Sequence, residues 1–332
     1  MLIVSPLSAV PARATIMDTS GAEISVGRHI VNKDVSALLH FLGQLSRLYR
    51  ARFLRPLWQK HTDHNDDPWD ALAIFVEGYA FSGKKSDSEY AHAVCEVIRE
   101  LKDSGTKLTD TAAAGKAWTR FIELVDDSSL SYTDNPMCPR GTEYQRKYRG
   151  RQKTVSTARY SVVEFIGLLS SRGEPANIVE YVRANLEHDN AGALHEALCG
   201  IDGINGIGER TASLFMRDVA TLYDIAPTKE RHLLQPVDVW VRHVAAPLMA
   251  VEGSDEEVAA WMLEEASRAD TSPEAVNQGM WYFGSQVAGS RYRARRALED
   301  IATARTLVDE HVEALSLEVV AWAQARATLQ TP

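Results

Sequence analysis

The sequence predicts an all-α fold. Apolar residues recur at helical spacing along most of its 332 residues, and alternating runs long enough for sheet strands are scarce. Capping signals fall where that periodicity starts and stops. The first helix begins after Asn32 or Asp34 as cap, presents Leu38, Leu39, Leu42 and Leu45 on one face, and ends near Pro56. His61–Asp67 reads as a polar, solvated linker. Asp67 followed by Pro68 opens a helix to about Phe81, because aspartate caps a helix and proline suits its first position. A helix over Ser88–Leu101 carries Tyr90, Val94, Ile98 and Leu101 on one face. Ser128–Lys153 turns polar and reads as a loop. Helices resume over Val162–Leu169 and Asn177–Leu186, and three helical stretches fill Asp255–Leu329. The only strand-like hints, Ala14–Met17 and Ala22–Val26 around Asp18–Gly21, predict a small N-terminal β-hairpin.

With 45% hydrophobic and 24% charged residues, the chain can bury one large core or two modest ones. The opening MLIVSPLSAVPARA has no basic segment ahead of its apolar start. No stretch reaches the roughly 18 apolar residues of a membrane helix, so a cytoplasmic protein without membrane association is expected. Cys95, Cys138 and Cys199 are odd in number and far apart, which fits neither a disulfide framework nor a CxxC metal knuckle. A net charge of −9 excludes a protein coated in basic surface, but it leaves room for a local basic cleft, so nucleic acid is neither predicted nor excluded.

The most informative stretch, Leu198–Val219, reads LCGIDGINGIGERTASLFMRDV. Between two helical patterns it holds a tight glycine hairpin, Ile204–Gly208, in which Gly206 and Gly208 let the backbone turn sharply and approach a ligand. The next helix begins at about Glu209, with unpaired N–H groups aimed outward in a natural phosphate seat. An ordinary αα-hairpin with a glycine turn has the same pattern. Further on comes Gln235-Pro236-Val237-Asp238-Val239-Trp240-Val241-Arg242-His243-Val244.

Together these two segments resemble the helix-hairpin-helix DNA glycosylases, including their 8-oxoguanine, endonuclease III and alkyl-base branches. The matched core runs from about Gly203 to Val244. Asp67-Pro68-Trp69-Asp70-Ala71-Leu72 is loosely similar to the family's first barrel helix, and Asn277-Gln278-Gly279-Met280-Trp281-Tyr282-Phe283-Gly284 to its late helix. The resemblance implies two helical lobes with an active cleft between them. One is a barrel over 67–236 that ends in the helix-hairpin-helix at about 198–219. The other joins 1–66 with 237–332.

The resemblance also implies roles for single residues. Cleaving an N-glycosidic bond develops positive charge on the sugar, so a fixed carboxylate beside C1′ stabilises the transition state and orients water. Asp238 matches the family residue with this task, and it also suits a helix cap. Bifunctional branches carry a lysine nucleophile where this chain has Arg210. A guanidinium stays protonated and attacks poorly, which predicts a monofunctional enzyme that leaves an abasic site. Arg210 then contacts a phosphate or the flipped base, or is simply a surface arginine. Glu209 beside it would repel a phosphate. All three cysteines precede Asp238, so the iron–sulfur cluster of many relatives is not expected, and neither is another metal or organic cofactor. His61, Asp63, His64, Asp66 and Asp67 read as polar linker rather than as ligands.

The expected partner is double-stranded DNA carrying a damaged or modified base, bound by a monomer. DNA-backbone contacts are assigned to Gly206, Ile207, Gly208, Arg210 and Thr211 of the hairpin. In the basic, tyrosine-rich stretch 140–153 they are assigned to Arg146, Lys147 and Arg149, although such a loop also suits plain solvent exposure. Arg291, Arg293, Arg295 and Arg296 fit the same role with less force. The extruded base needs a pocket, for which Glu77, Tyr79, Phe81, Trp240 and Trp281 are the candidates, although each also suits the core. Base-excision repair and defence against modified foreign DNA are both compatible with this reading. The alternative is a non-catalytic, lesion-sensing protein that keeps the hairpin as a phosphate grip.

Overall fold

The computed structural model describes residues 34–80, 87–110, 113–124, 143–148, 151–156, 177–200, 203–204, 207–249 and 253–329. The strand hints at 14–26 and the helix expected at 162–169 lie outside them. The described residues are predominantly helical.

Helix α1 spans Val35–Tyr49, and Asp34 Oδ1 caps it by accepting from Ala37 N at 2.9 Å. Pro56 does not end this helix. The chain passes through a π turn, Arg50–Leu54, into α2, Arg55–Lys60, with Pro56 in its first turn. Helix α3, Pro68–Phe75, starts on Asp67 Oδ1, which accepts from Trp69 N at 2.8 Å, and continues as a π turn over Val76–Ala80. Helix α4, Asp87–Asp103, buries Val94, Val97, Ile98 and Leu101, and α5 is Ala113–Leu124.

The polar stretch read as a loop contains two antiparallel strands, β1 (Glu143–Tyr148) and β2 (Arg151–Ser156), with Arg146 opposite Lys153 and Lys147 opposite Gln152. EYQRKY and RQKTVS carry no apolar alternation, so periodicity had nothing to detect. Arg151 pairs with Glu196 in the helix before the glycine hairpin.

Next come α6 (Ile178–Glu187), α7 (Ala191–Cys199), α8 (Glu209–Leu222), a 3-10 turn (Arg231–Leu234), α9 (Val239–Met249), α10 (Asp255–Arg268) and α11 (Pro273–Tyr282). A π turn over Phe283–Ala288 leads to α12 (Arg291–Ala297) and α13 (Ile301–Leu329). Four helices therefore fill 255–329 where three were expected. One of the breaks comes at Gly289, at φ 65°, and Ser290, whose hydroxyl caps α12.

The polar segment 61–67, though largely exposed, is tied down at His61 and at His64. Asn177 caps α6 through Oδ1 and donates from Nδ2 to the His64 carbonyl at 2.7 Å. His61 Nε2 lies 3.1 Å from Glu77 Oε2.

Residues 34–332 form one compact unit. Within it α3, α4, α6, α7 and α8 contact one another, as do α1, α9, α10, α11 and α12, and the two sets touch where α8 meets α11. Helix α1 lies against α11 so closely that a Cβ on Gly279 would sit 1.7 Å from the Leu42 carbonyl oxygen. Only glycine permits this crossing. Among the described residues, no helix is long and apolar enough to cross a membrane.

Candidate active site

The glycine hairpin closes on α7. Gly203 N donates to Gly200 O at 2.9 Å and Ile204 N to Leu198 O at 3.0 Å. A Cβ on Gly203 would lie 2.7 Å from Gly200 N, so the steric need for glycine falls here. Ile204 and Ile207, each 3% exposed, anchor the hairpin in the core. Gly208 sets up α8 with φ −92°, an ordinary backbone angle, and a Cβ there would meet nothing within 4 Å. Gly208 offers α8 no capping side chain, and its first N–H groups make no side-chain cap hydrogen bond with any described residue. Gly206 lies outside the described residues. Glu209 and Arg210 are exposed and Thr211 is half-buried. From Arg210 a cleft of about 490 Å³ runs past His232 to Pro236 and Val237.

Those last two residues lead into Asp238. Its Oδ1 accepts from Trp240 N and Val241 N, both at 2.9 Å, which caps α9 and fixes the carboxylate. Asp238 is half-exposed, and no described residue bonds Oδ2. One turn on, burial and then the Arg291 guanidinium hold His243 below the ordinary imidazole value, with Asp238 pulling the other way.

A buried polar network stands behind this turn. Arg217 and Asp218, each 1% exposed on α8, pair with each other, Arg217 Nη2 lying 2.8 Å from Asp218 Oδ1. Asp218 Oδ2 accepts from Tyr49 at 2.9 Å and from Tyr79 at 3.1 Å, and its Oδ1 also accepts from Gln278 at 3.1 Å. Arg217 donates from Nη2 to the Tyr49 hydroxyl and from Nη1 to Asn277 Oδ1, both at 2.7 Å. Asn277 in turn donates to the Pro236 carbonyl at 3.0 Å. Burial works against the Arg217 charge, but Asp218 and its other partners more than hold the proton; burial raises Tyr49 and Tyr79. Sequence reading missed this network, since an Arg-Asp pair within a helix looks like a solvated one.

The other expected site residues scatter. Trp240 is half-buried beneath Gly284, whose Cβ would lie 3.2 Å from the Trp240 carbonyl oxygen. Trp281 is half-buried and meets Phe53 edge-on at 5.2 Å and Tyr49 at 5.6 Å. It lies one helical turn from Asn277, whose amide bonds the Pro236 carbonyl. Phe53, 37% exposed, was not foreseen; an exposed aromatic within RARFLR was its only signal.

Two pocket candidates are engaged elsewhere. Tyr79 is 3% exposed with its hydroxyl on Asp218, so it joins the core network rather than a cleft wall. Glu77 is ion-paired with Lys60 at 2.7 Å. Burial would raise its carboxyl, but hydrogen bonds from Lys60 and His61 outweigh it and hold the group below the usual carboxylate range. Phe81 and Arg149 lie outside the described residues, and the backbone of Arg146 and Lys147 lies in β1.

Comparison with protein-family models, with curated proteins and with solved structures finds no match.

Proposed function

We infer that the protein is a monofunctional DNA glycosylase, which hydrolyses the bond between a damaged or modified base and its deoxyribose and leaves an abasic site. The observation that carries this reading is the Asp238 turn. One carboxylate oxygen is immobilised by two backbone N–H groups and the other is bonded by no described residue, at the position where the chain resembles the catalytic aspartate of helix-hairpin-helix glycosylases. A preorganised anion of this kind stabilises an oxocarbenium-like sugar without moving during the reaction. In this reading the two helix sets are the two lobes. The first N–H groups of α8, which no described side chain caps, take a DNA phosphate, and Trp281 with Phe53 supplies apolar surface for the extruded base. Arg210 in place of a lysine leaves hydrolysis, not Schiff-base chemistry, as the route. The setting is base excision, in repair or in defence against modified foreign DNA.

The test is a panel of end-labelled duplexes with different damaged or modified bases, treated with wild type and Asp238→Asn and scored before and after hot alkali. Breaks that need alkali and appear only with wild type are expected. Breaks without alkali would refute the monofunctional mechanism, and binding without base release by wild type on any duplex would favour the lesion-sensing protein. Asn at 238 retains the capping oxygen, so its stability should stay close to wild type, whereas Asp238→Ala loses about 1 kcal/mol with the cap.

A further inference from the structure

The hairpin alone is poorly built to hold a polyanion. Beside Arg210, its cleft carries Glu209, Glu230, Asp255 and Glu256, and like charge repels phosphate. A concentrated cationic surface lies on α12, which reads RYRARRA. Ala294 and Ala297 are buried as the helix packs on α9 and the π turn 283–288. That packing leaves Arg291, Tyr292, Arg293, Arg295 and Arg296 exposed. Tyr292 is 67% exposed, with the Arg296 guanidinium 5.9 Å from its ring centre. Arg242 and Arg268 are each paired with a carboxylate, but Arg293, Arg295 and Arg296 make no ion pair with any described residue.

Helix α12 packs on α9, the helix that Asp238 caps, and its first arginine reaches that helix. Arg291 joins Arg242 and His243 around a pocket of about 200 Å³. Arg242 N donates to the Asp238 carbonyl at 3.0 Å, so the basic surface begins one helical turn from the carboxylate. Guanidinium groups spread along a helix with an exposed aromatic between them match a sugar-phosphate backbone in charge and in stacking capacity.

The geometry points to α12 as a second DNA-backbone grip, holding the duplex beside the nucleotide presented to Asp238. This rests on the glycosylase reading for its substrate, but binding and base release test the two separately.

The experiment compares wild type with the triple variant Arg293→Gln, Arg295→Gln, Arg296→Gln on unmodified duplex between about 50 and 200 mM salt. These side chains are exposed, and circular dichroism checks that the fold is kept. The triple variant should bind at least about tenfold more weakly at the lowest salt, with a log–log salt slope smaller by about 2 to 3, near 0.9 per lost phosphate contact. Arg268→Gln, on α10, should change neither. An unchanged slope in the triple variant overturns the grip. So does wild type that binds anionic phosphatidylserine vesicles but not duplex. If the triple variant raises the KM of base release and preserves kcat, grip and glycosylase both stand. Base release with unchanged KM leaves the glycosylase and removes the grip. Duplex binding through α12 with no base released on any duplex leaves the grip and removes the glycosylase.

Discussion

Asn277 donates a 3.0 Å hydrogen bond from Nδ2 to the carbonyl of Pro236, two residues ahead of Asp238. Its Oδ1 meanwhile accepts from Arg217 at 2.7 Å. One wholly buried amide thus joins the charged centre of α8 to the turn that carries the candidate catalytic group. Asn277→Leu, similar in volume, leaves a buried guanidinium nitrogen and a buried carbonyl unsatisfied. It should destabilise the protein by about 3 kcal/mol, read from urea unfolding midpoints. Asn277→Asp keeps an acceptor for Arg217 and removes the donor to Pro236. If the bond positions Asp238, this variant should lower turnover by a larger factor than its stability change accounts for.

Tyr79 and Tyr49 both donate to Asp218 Oδ2. Tyr79→Phe should cost about 2 kcal/mol, since a charged acceptor loses one of its donors, and the double variant should depart from the sum of the two singles. A Tyr79→Phe variant of wild-type stability with altered base preference would return Tyr79 to the pocket.

Gly279 and Gly208 make opposite predictions. At Gly279 a methyl group meets the Leu42 carbonyl, a backbone atom that moves only with α1, so Gly279→Ala should destabilise by about 2 kcal/mol or more. At Gly208 the space is open, so Gly208→Ala should fold normally. If the α8 start seats a phosphate, Gly208→Ala should instead weaken duplex binding, measured by titration at fixed salt.

His243 is held below the ordinary imidazole value of about 6.5, by burial and by Arg291. The unfolded chain then takes up the proton more readily than the native one. Stability from this residue is complete above about pH 6.5 and declines as pH falls through that value. His311, depressed by burial and Arg52, acts in the same direction. His243→Asn should flatten the decline of the urea midpoint between about pH 7 and 5. A decline as steep as in wild type would assign it to other groups.

How much of this was legible varies by residue. Asp34 and Asp67 announced their helices because a cap is a bond between residues two or three apart, and the periodic leucines of α1 named its buried face for the same local reason. Gly203–Gly208 and Asp238 were visible as a pattern, down to the cap that Asp238 forms. The ribbon at 143–156 was not, since its strands have no apolar face.

The amino-acid sequence by itself determined a helical chain, its principal caps and the site of its glycine hairpin, all of which depend on neighbours within about one helical turn. Only the tertiary structure decided that Arg217 and Asp218 are buried partners, that Tyr79 serves them, that Phe53 stands against Trp281 and that Arg291 of α12 stands beside Arg242 and His243. The reason is physical. A side chain on an amphipathic helix has the same local signature whether it meets solvent or a distant partner, and the packing of residues 49, 79, 217, 236 and 277 into one place settles which it is.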